Sequence, residues 1–284
     1  MLNLFGTGVA LITPMNEDFS IDFIGLEKLI NHVIEGGADY LVVQGTTGES
    51  ATMTKEEKKQ VLAAAIKINS NRLPIVYGLG GNNTTAVLGE IKQTDFSGVD
   101  AILSVCPYYN KPSQAGIIAH YYAIADASPV PVVLYNVPGR TVTNMTAATT
   151  LTLADHPNII AMKEASGNLE QCMTIAAQMT KDFLLISGDD MLTTALRAIG
   201  GSGVISVLAN AYPSVFKTIC HGSLEESRNA TFSLLDINPL MYEESNPVGL
   251  KYLLKEMNIC GDAVRLPLVK ASENLSKKIK AAMI

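Results

Sequence analysis

Short apolar runs recur along this chain, each closed by glycine, proline or polar turn residues and each followed by a helical pattern. No other feature narrows the fold as much. Strands joined through helices must run parallel, and a parallel sheet is buried on both faces, so its strands read as continuous apolar runs. The runs fall at 7–14, 39–44, 73–78, 101–105, 132–136, 158–163, 183–187 and 203–207. Eight strand-helix units predict an α/β fold of the closed (β/α)8 TIM-barrel type over an open doubly wound sheet. From Ser223 to Ile284 the pattern is helical without strand signals, broken at Asn238-Pro239, Asn246-Pro247 and Gly261. The expected organisation is a barrel over residues 1–222 and a helical C-terminal appendage over 223–284. Pro239 lies in an apolar helical pattern and should kink or end a helix there.

Local signals refine this plan. Ser20 precedes the first helical pattern, Thr54 with Glu57 spells a capping box, and the helix after the third strand should end near Gly98. The carboxylates of Asp189 and Asp190 suit the helix N-terminus expected after the seventh strand.

Composition excludes several functions. At 284 residues and 48% hydrophobic, the chain can fill one large core, and its formal net charge of -6 offers no footprint for nucleic acid or an anionic membrane. Cys106, Cys172, Cys220 and Cys260 lie far apart in apolar surroundings, as reduced thiols would, so no disulfide is expected. His32, His120, His156 and His221 fall on helices or helix ends without ligand spacing, so no metal is expected either. The first 14 residues lack a basic start and are interrupted by Gly6 and Gly8, unlike a signal peptide or membrane span, which favours a cytoplasmic protein.

In a barrel every strand's C-terminal end faces one mouth, where active sites are built. The sixth run ends in Lys163, followed by Glu164-Ala165-Ser166-Gly167-Asn168. Partial burial there disfavours the ammonium and favours the neutral amine, a nucleophile toward carbonyls. The alternative is a lysine that reaches the rim and pairs with Glu164 or another carboxylate. Thr46 and Thr47 could offer hydroxyls and consecutive N–H groups to a carboxylate, or could simply cap a glycine turn. Tyr135 ends the fifth strand, either as a proton carrier or as a buried aromatic with a satisfied hydroxyl. Arg140 brings a planar fork that fits a carboxylate, although arginines are ordinary on loops.

Together Gly45-Thr46-Thr47-Gly48-Glu49-Ser50, Pro107-Tyr108-Tyr109-Asn110-Lys111-Pro112, Tyr135-Asn136-Val137-Pro138-Gly139-Arg140-Thr141, Lys163-Glu164-Ala165-Ser166-Gly167-Asn168 and Gly203-Val204-Ile205-Ser206 resemble the dihydrodipicolinate synthase family, of the pyruvate-dependent Schiff-base lyases and aldolases. The resemblance spans nearly the whole chain. It implies a lyase of lysine and diaminopimelate biosynthesis that needs no cofactor and joins pyruvate to L-aspartate 4-semialdehyde through a Schiff base on Lys163. It further implies proton transfer by Tyr135, Thr47 and Tyr109, and pyruvate binding by Thr46, Thr47, Gly188 and the Ile205 carbonyl, with Arg140 on the semialdehyde. Tyr109 would come from a neighbouring subunit of a homotetramer. Keto-deoxy-sugar aldolases and N-acetylneuraminate lyase share the lysine and tyrosine, and a barrel that only binds carboxylates is the non-enzymatic alternative. Ser50, Ala51, Asn82 and Tyr108 match the family's lysine-inhibition pocket, but Lys55, Lys58 and Ala86 stand where sensitive members carry two histidines and a glutamate. Two like charges 4 Å apart repel by about 4 kcal/mol at an effective dielectric near 20, so inhibition by L-lysine should be weak or absent.

Overall fold

The apolar runs form eight parallel strands in the computed structural model, which describes residues 2–284: β1 (Gly6–Ala10), β2 (Tyr40–Val43), β3 (Ile75–Gly78), β4 (Ala101–Val105), β5 (Val132–Asn136), β6 (Ile159–Glu164), β7 (Leu184–Ser187) and β8 (Gly203–Ser206). Each pairs with its sequence neighbours, and β8 closes onto β1 with Gly6 opposite Gly203 and Val9 opposite Ser206. The (β/α)8 barrel expected from the alternation is therefore the observed fold. The crossovers carry α1 (Phe23–Glu35), α2 (Lys55–Asn69), α3 (Thr84–Gln93), α4 (Gln114–Ala127), the single turn α5 (Pro138–Thr141), α6 (Ala147–Ala154), α7 (Leu169–Gln178) and α8 (Thr193–Ala198). After β8 come α9 (Pro213–His221), α10 (Leu224–Phe232), α11 (Val248–Glu256) and α12 (Glu273–Ala282).

Alternation along the strands divides the core in two. Tyr40, Val42, Val76, Leu103, Val133, Ile186 and Ile205 pack together inside the barrel, while Leu41, Ile75, Ile102, Val132 and Leu185 belong to the layer under the helices. Tyr40 is fully buried, and a Cβ on Gly8 would come within 2.2 Å of its ring, so bare backbone at that position admits the tyrosine.

Several local expectations shift. Asp22, not Ser20, caps α1, accepting from Gly25 N at 2.8 Å. The Thr54/Glu57 capping box opens α2 as expected. α3 stops at Gln93, where Asp95 turns the chain by accepting from Ser97 N. Pro239 neither kinks nor ends a helix: α10 has already ended, and the proline sits in the first turn of a 3-10 segment, Asn238–Met241, where no N–H is needed.

The segment after α9 packs against the barrel helices. Leu234, Ile237, Met241, Leu250, Leu253, Leu254, Leu275 and Ile279 join the same apolar layer as the barrel helices. Between α10 and α11 the chain passes over the barrel mouth.

Candidate active site

The cavity at the strands' C-terminal ends, of about 290 Å³, is lined by Thr46, Thr47, Tyr135, Arg140, Lys163 and Gly188, all anticipated above, and by Val137, Ala165, Asp189, Val207, Asn238, Tyr242 and Asn246. Lys163 and Tyr135 face each other across β5 and β6 in register. Lys163 is 6% exposed, and its amine lies 4.3 Å from the centre of the Tyr135 ring.

The pairing of Lys163 with Glu164 does not occur. Adjacent strand residues point to opposite faces, so with Lys163 directed inward Glu164 points outward. Its carboxylate accepts from Asn136 Nδ2 at 3.2 and 3.1 Å, from Gln171 Nε2 at 2.8 Å and from Ser166 N at 2.7 Å. Asn136 in turn accepts from Met145 N at 3.0 Å. This buried network binds the ends of β5 and β6 to α7 and holds the backbone directly after Tyr135 and Lys163. Gly188 supplies the space: a Cβ there would stand 3.1 Å from Lys163 Cε and 2.6 Å from the Ala165 methyl.

Thr46 and Thr47 open a single 3-10 turn, Thr46–Gly48. The i→i+3 bonds of that turn begin with Gly48 N to Gly45 O, which leaves the Thr46 and Thr47 N–H groups unused by it. Thr47 is buried, and its hydroxyl accepts from Asn246 Nδ2 at 3.0 Å, so its own proton is left to point elsewhere. Arg140, on α5, borders the cavity, and among the described residues no carboxylate pairs with it. Its fork is available to a ligand.

Two anticipated residues are not among those that line the cavity. The Ile205 side chain is buried inside the barrel, and Val207, two residues on, borders the cavity. Tyr109 is 87% exposed, with φ of 74°, and does not line the cavity of its own chain. Of the residues matched to the inhibition pocket, Asn82 donates to Tyr108 O at 3.1 Å, and Ala51 is exposed. Ser50 and Lys58 line a separate recess of about 80 Å³ that Glu90 also borders, so this recess is not without a carboxylate.

Asp190 does not serve the helix N-terminus. It is buried, and its two oxygens accept from Val207 N at 3.3 Å and Leu208 N at 2.9 Å, tying the turn after β7 to the turn after β8. Burial pushes its carboxyl up to about 6; the Leu208 N–H and the Ser206 hydroxyl pull against that shift, and the charge of Asp189 adds to it. His32 meets Ala211 O, His120 meets Thr84 Oγ1, His156 meets Asp126 and His221 meets Asp39. Among the described residues no group of three His, Cys, Asp or Glu side chains is placed to hold a metal ion, and no helix is long and apolar enough to cross a membrane.

Sequence reading missed Asn238, Tyr242 and Asn246. Two of them precede the prolines read only as helix breaks, and no periodicity announces that the chain there crosses the barrel mouth.

Asp190 also gives a pH test. A carboxyl raised in the fold contributes most below its unfolded value, loses that contribution as pH rises to about 6, and is flat above. Relative to wild type, Asp190→Asn should therefore gain about 3 kcal/mol of unfolding free energy between about pH 4 and pH 6, and nothing more on going to pH 8, by urea titration. A difference independent of pH would contradict the assignment.

Comparison with known proteins places the chain. The model of the dihydrodipicolinate synthetase family matches residues 3–284. The 4-hydroxy-tetrahydrodipicolinate synthase of Cytophaga hutchinsonii is 49% identical over 288 residues, covering 100% of this chain and 97% of its own. The crystal structure of the chloride-inhibited dihydrodipicolinate synthase from Acinetobacter baumannii complexed with pyruvate superposes with a TM-score of 0.96 at 35% identity, covering 99% of this chain and 98% of that one. That of the dihydrodipicolinate synthase from Cyanidioschyzon merolae with lysine bound gives 0.94 at 37% identity, covering 98% and 97%. By sequence and fold alike, the chain belongs to the dihydrodipicolinate synthetase family, lyases of lysine and diaminopimelate biosynthesis.

Proposed function

We propose that this chain condenses pyruvate with L-aspartate 4-semialdehyde through a Schiff base on Lys163, giving 4-hydroxy-tetrahydrodipicolinate. The observation that carries the reading is a lysine amine withdrawn from water, 4.3 Å from the centre of the Tyr135 ring, in a cavity that also holds two threonines and an unpaired arginine. The A. baumannii relative, whose structure contains pyruvate, supports the choice of first substrate.

Pyruvate's carboxylate meets the free N–H groups of Thr46 and Thr47, with its ketone at Lys163. The amine adds to the carbonyl carbon, and the carbinolamine loses its oxygen as water to leave a protonated imine. That cation draws electrons from the methyl group, which gives up a proton and becomes the nucleophilic carbon of an enamine. The enamine attacks the aldehyde carbon of the semialdehyde, whose carboxylate lies on Arg140, and regenerates the imine. The substrate's own amine then attacks the imine carbon and displaces Lys163 as the ring closes. Tyr135 takes and returns the protons at each stage, with Thr47 beside it.

The reading extends to a cytoplasmic homotetramer in which Tyr109 of one subunit enters its neighbour's cavity and links Tyr135 to water. A tyrosine 87% exposed, held at φ of 74°, is a side chain without surroundings in its own chain. Gly188 and the backbone at Ile205 bound the pyruvate end.

Condensation of pyruvate with the semialdehyde should exceed cleavage of keto-deoxy sugars and N-acetylneuraminate by orders of magnitude. Arg140→Ala should raise the KM for the semialdehyde by about a hundredfold while sparing that for pyruvate. Preferred cleavage of a sugar acid would establish the rival aldolase, and no turnover with any aldehyde would leave only a carboxylate-binding barrel.

Lysine sensitivity is read as weak or absent. Lys55 and Lys58 add positive charge where the effector would bring an ammonium, and Glu90 shares its recess with Lys58. Activity should persist in millimolar L-lysine. Inhibition at sub-millimolar lysine would contradict this and would align the chain with the C. merolae relative.

A further inference from the structure

Among the described residues, one ion pair has both side chains withdrawn from water: Lys251 of α11 and Glu49, 0% and 2% exposed. Lys251 also donates to Ala263 O at 2.7 Å, and the second oxygen of Glu49 accepts from Arg265 N at 3.2 Å. Burial lowers the pKa of Lys251, and the charge of Glu49 opposes that shift. Neither group lines the cavity. A buried ion pair is a weak source of net stability, because desolvation consumes most of its attraction. Its geometric effect is stronger here, since Glu49 is two residues from Thr47.

Glu49 is the left-handed elbow, φ 55°, between two single 3-10 turns, Thr46–Gly48 and Ser50–Thr52. One turn of helix has little stability of its own. The Glu49 N–H closes the first turn on Thr46 O at 3.1 Å, and its carbonyl receives Thr52 N at 3.0 Å. On the barrel side Thr13 Oγ1 donates to Gly48 O at 2.8 Å. The C-terminal segment adds further fixtures: Asn246 to Thr47, Lys251 and the Arg265 N–H to Glu49, and the Arg265 guanidinium to Thr52 O and Glu57.

We propose that Glu49 and Lys251 are positioning residues for pyruvate: their buried ion pair sets the Thr46–Thr47 turn so that its N–H groups meet the substrate carboxylate. The barrel's carboxylate-binding turn is then complete only when residues 246–265 are docked. This rests on the pyruvate reading above.

The test is steady-state kinetics with both substrates on Lys251→Met and on the double variant Glu49→Gln/Lys251→Met, with thermal unfolding measured in parallel. The pyruvate KM should rise by about tenfold or more in both variants, and the semialdehyde KM should stay within about twofold, since Arg140 stands on α5, which the pair does not touch. The double variant has no stranded charge and should regain most of the Tm lost by Lys251→Met, but not the pyruvate KM. If Lys251→Met does not fold, the double variant carries the comparison. Losses confined to kcat, a parallel rise in both KM values, or recovery of the pyruvate KM together with Tm would each overturn the proposal and leave the pair a role in stability alone. Wild-type enzyme that does not condense pyruvate with the semialdehyde would be a different failure: the functional reading would fall, and this inference with it.

Discussion

Closure of β8 onto β1 removes every free strand edge and, because all eight strands run parallel, brings eight C-terminal ends to one rim. A loop at that rim starts from a strand fixed on both sides by hydrogen bonds. Register then decides which side chains meet. Tyr135 lies opposite Lys163 because β5 and β6 pair at that step, past an irregularity between Val132 and Val133. A slip of one residue would turn Lys163 into the helix layer and Glu164 into the barrel.

The outward network around Glu164 shows how the fold keeps a lysine in place without pairing it. A carboxylate that accepted the amine would hold it as an ammonium and silence it as a nucleophile. Glu164 is instead saturated by Asn136, Gln171 and Ser166, and the inward space is left open by the missing side chain of Gly188. Polar groups on the outer face fix the strand, and on the inner face the Tyr135 ring lies beside the Lys163 amine.

The barrel was legible because its signal is local and repeated: each strand is a few apolar residues long and each stop is a glycine, proline or polar cluster. Lys163, Tyr135, Thr46, Thr47 and Arg140 were legible because strand ends in such a barrel converge by topology alone. Asn246 was not, because its partner Thr47 is 199 residues away and the Asn-Pro step reads as punctuation. Asp190 was misread for a related reason. Adjacent acidic residues before a helix suit its N-terminus, yet the backbone N–H groups of Val207 and Leu208, 17 and 18 residues on, outcompete it. Tyr109 is exposed and does not line its own chain's cavity, so convergence of the strand ends does not account for it.

Everything in the functional account passes through one nitrogen atom. Incubation with pyruvate, reduction with borohydride, digestion and mass spectrometry report directly on whether Lys163 forms the imine. The account predicts a reduced pyruvyl adduct on Lys163, formed only when pyruvate and borohydride are both present. No adduct, or one confined to another lysine, would contradict it.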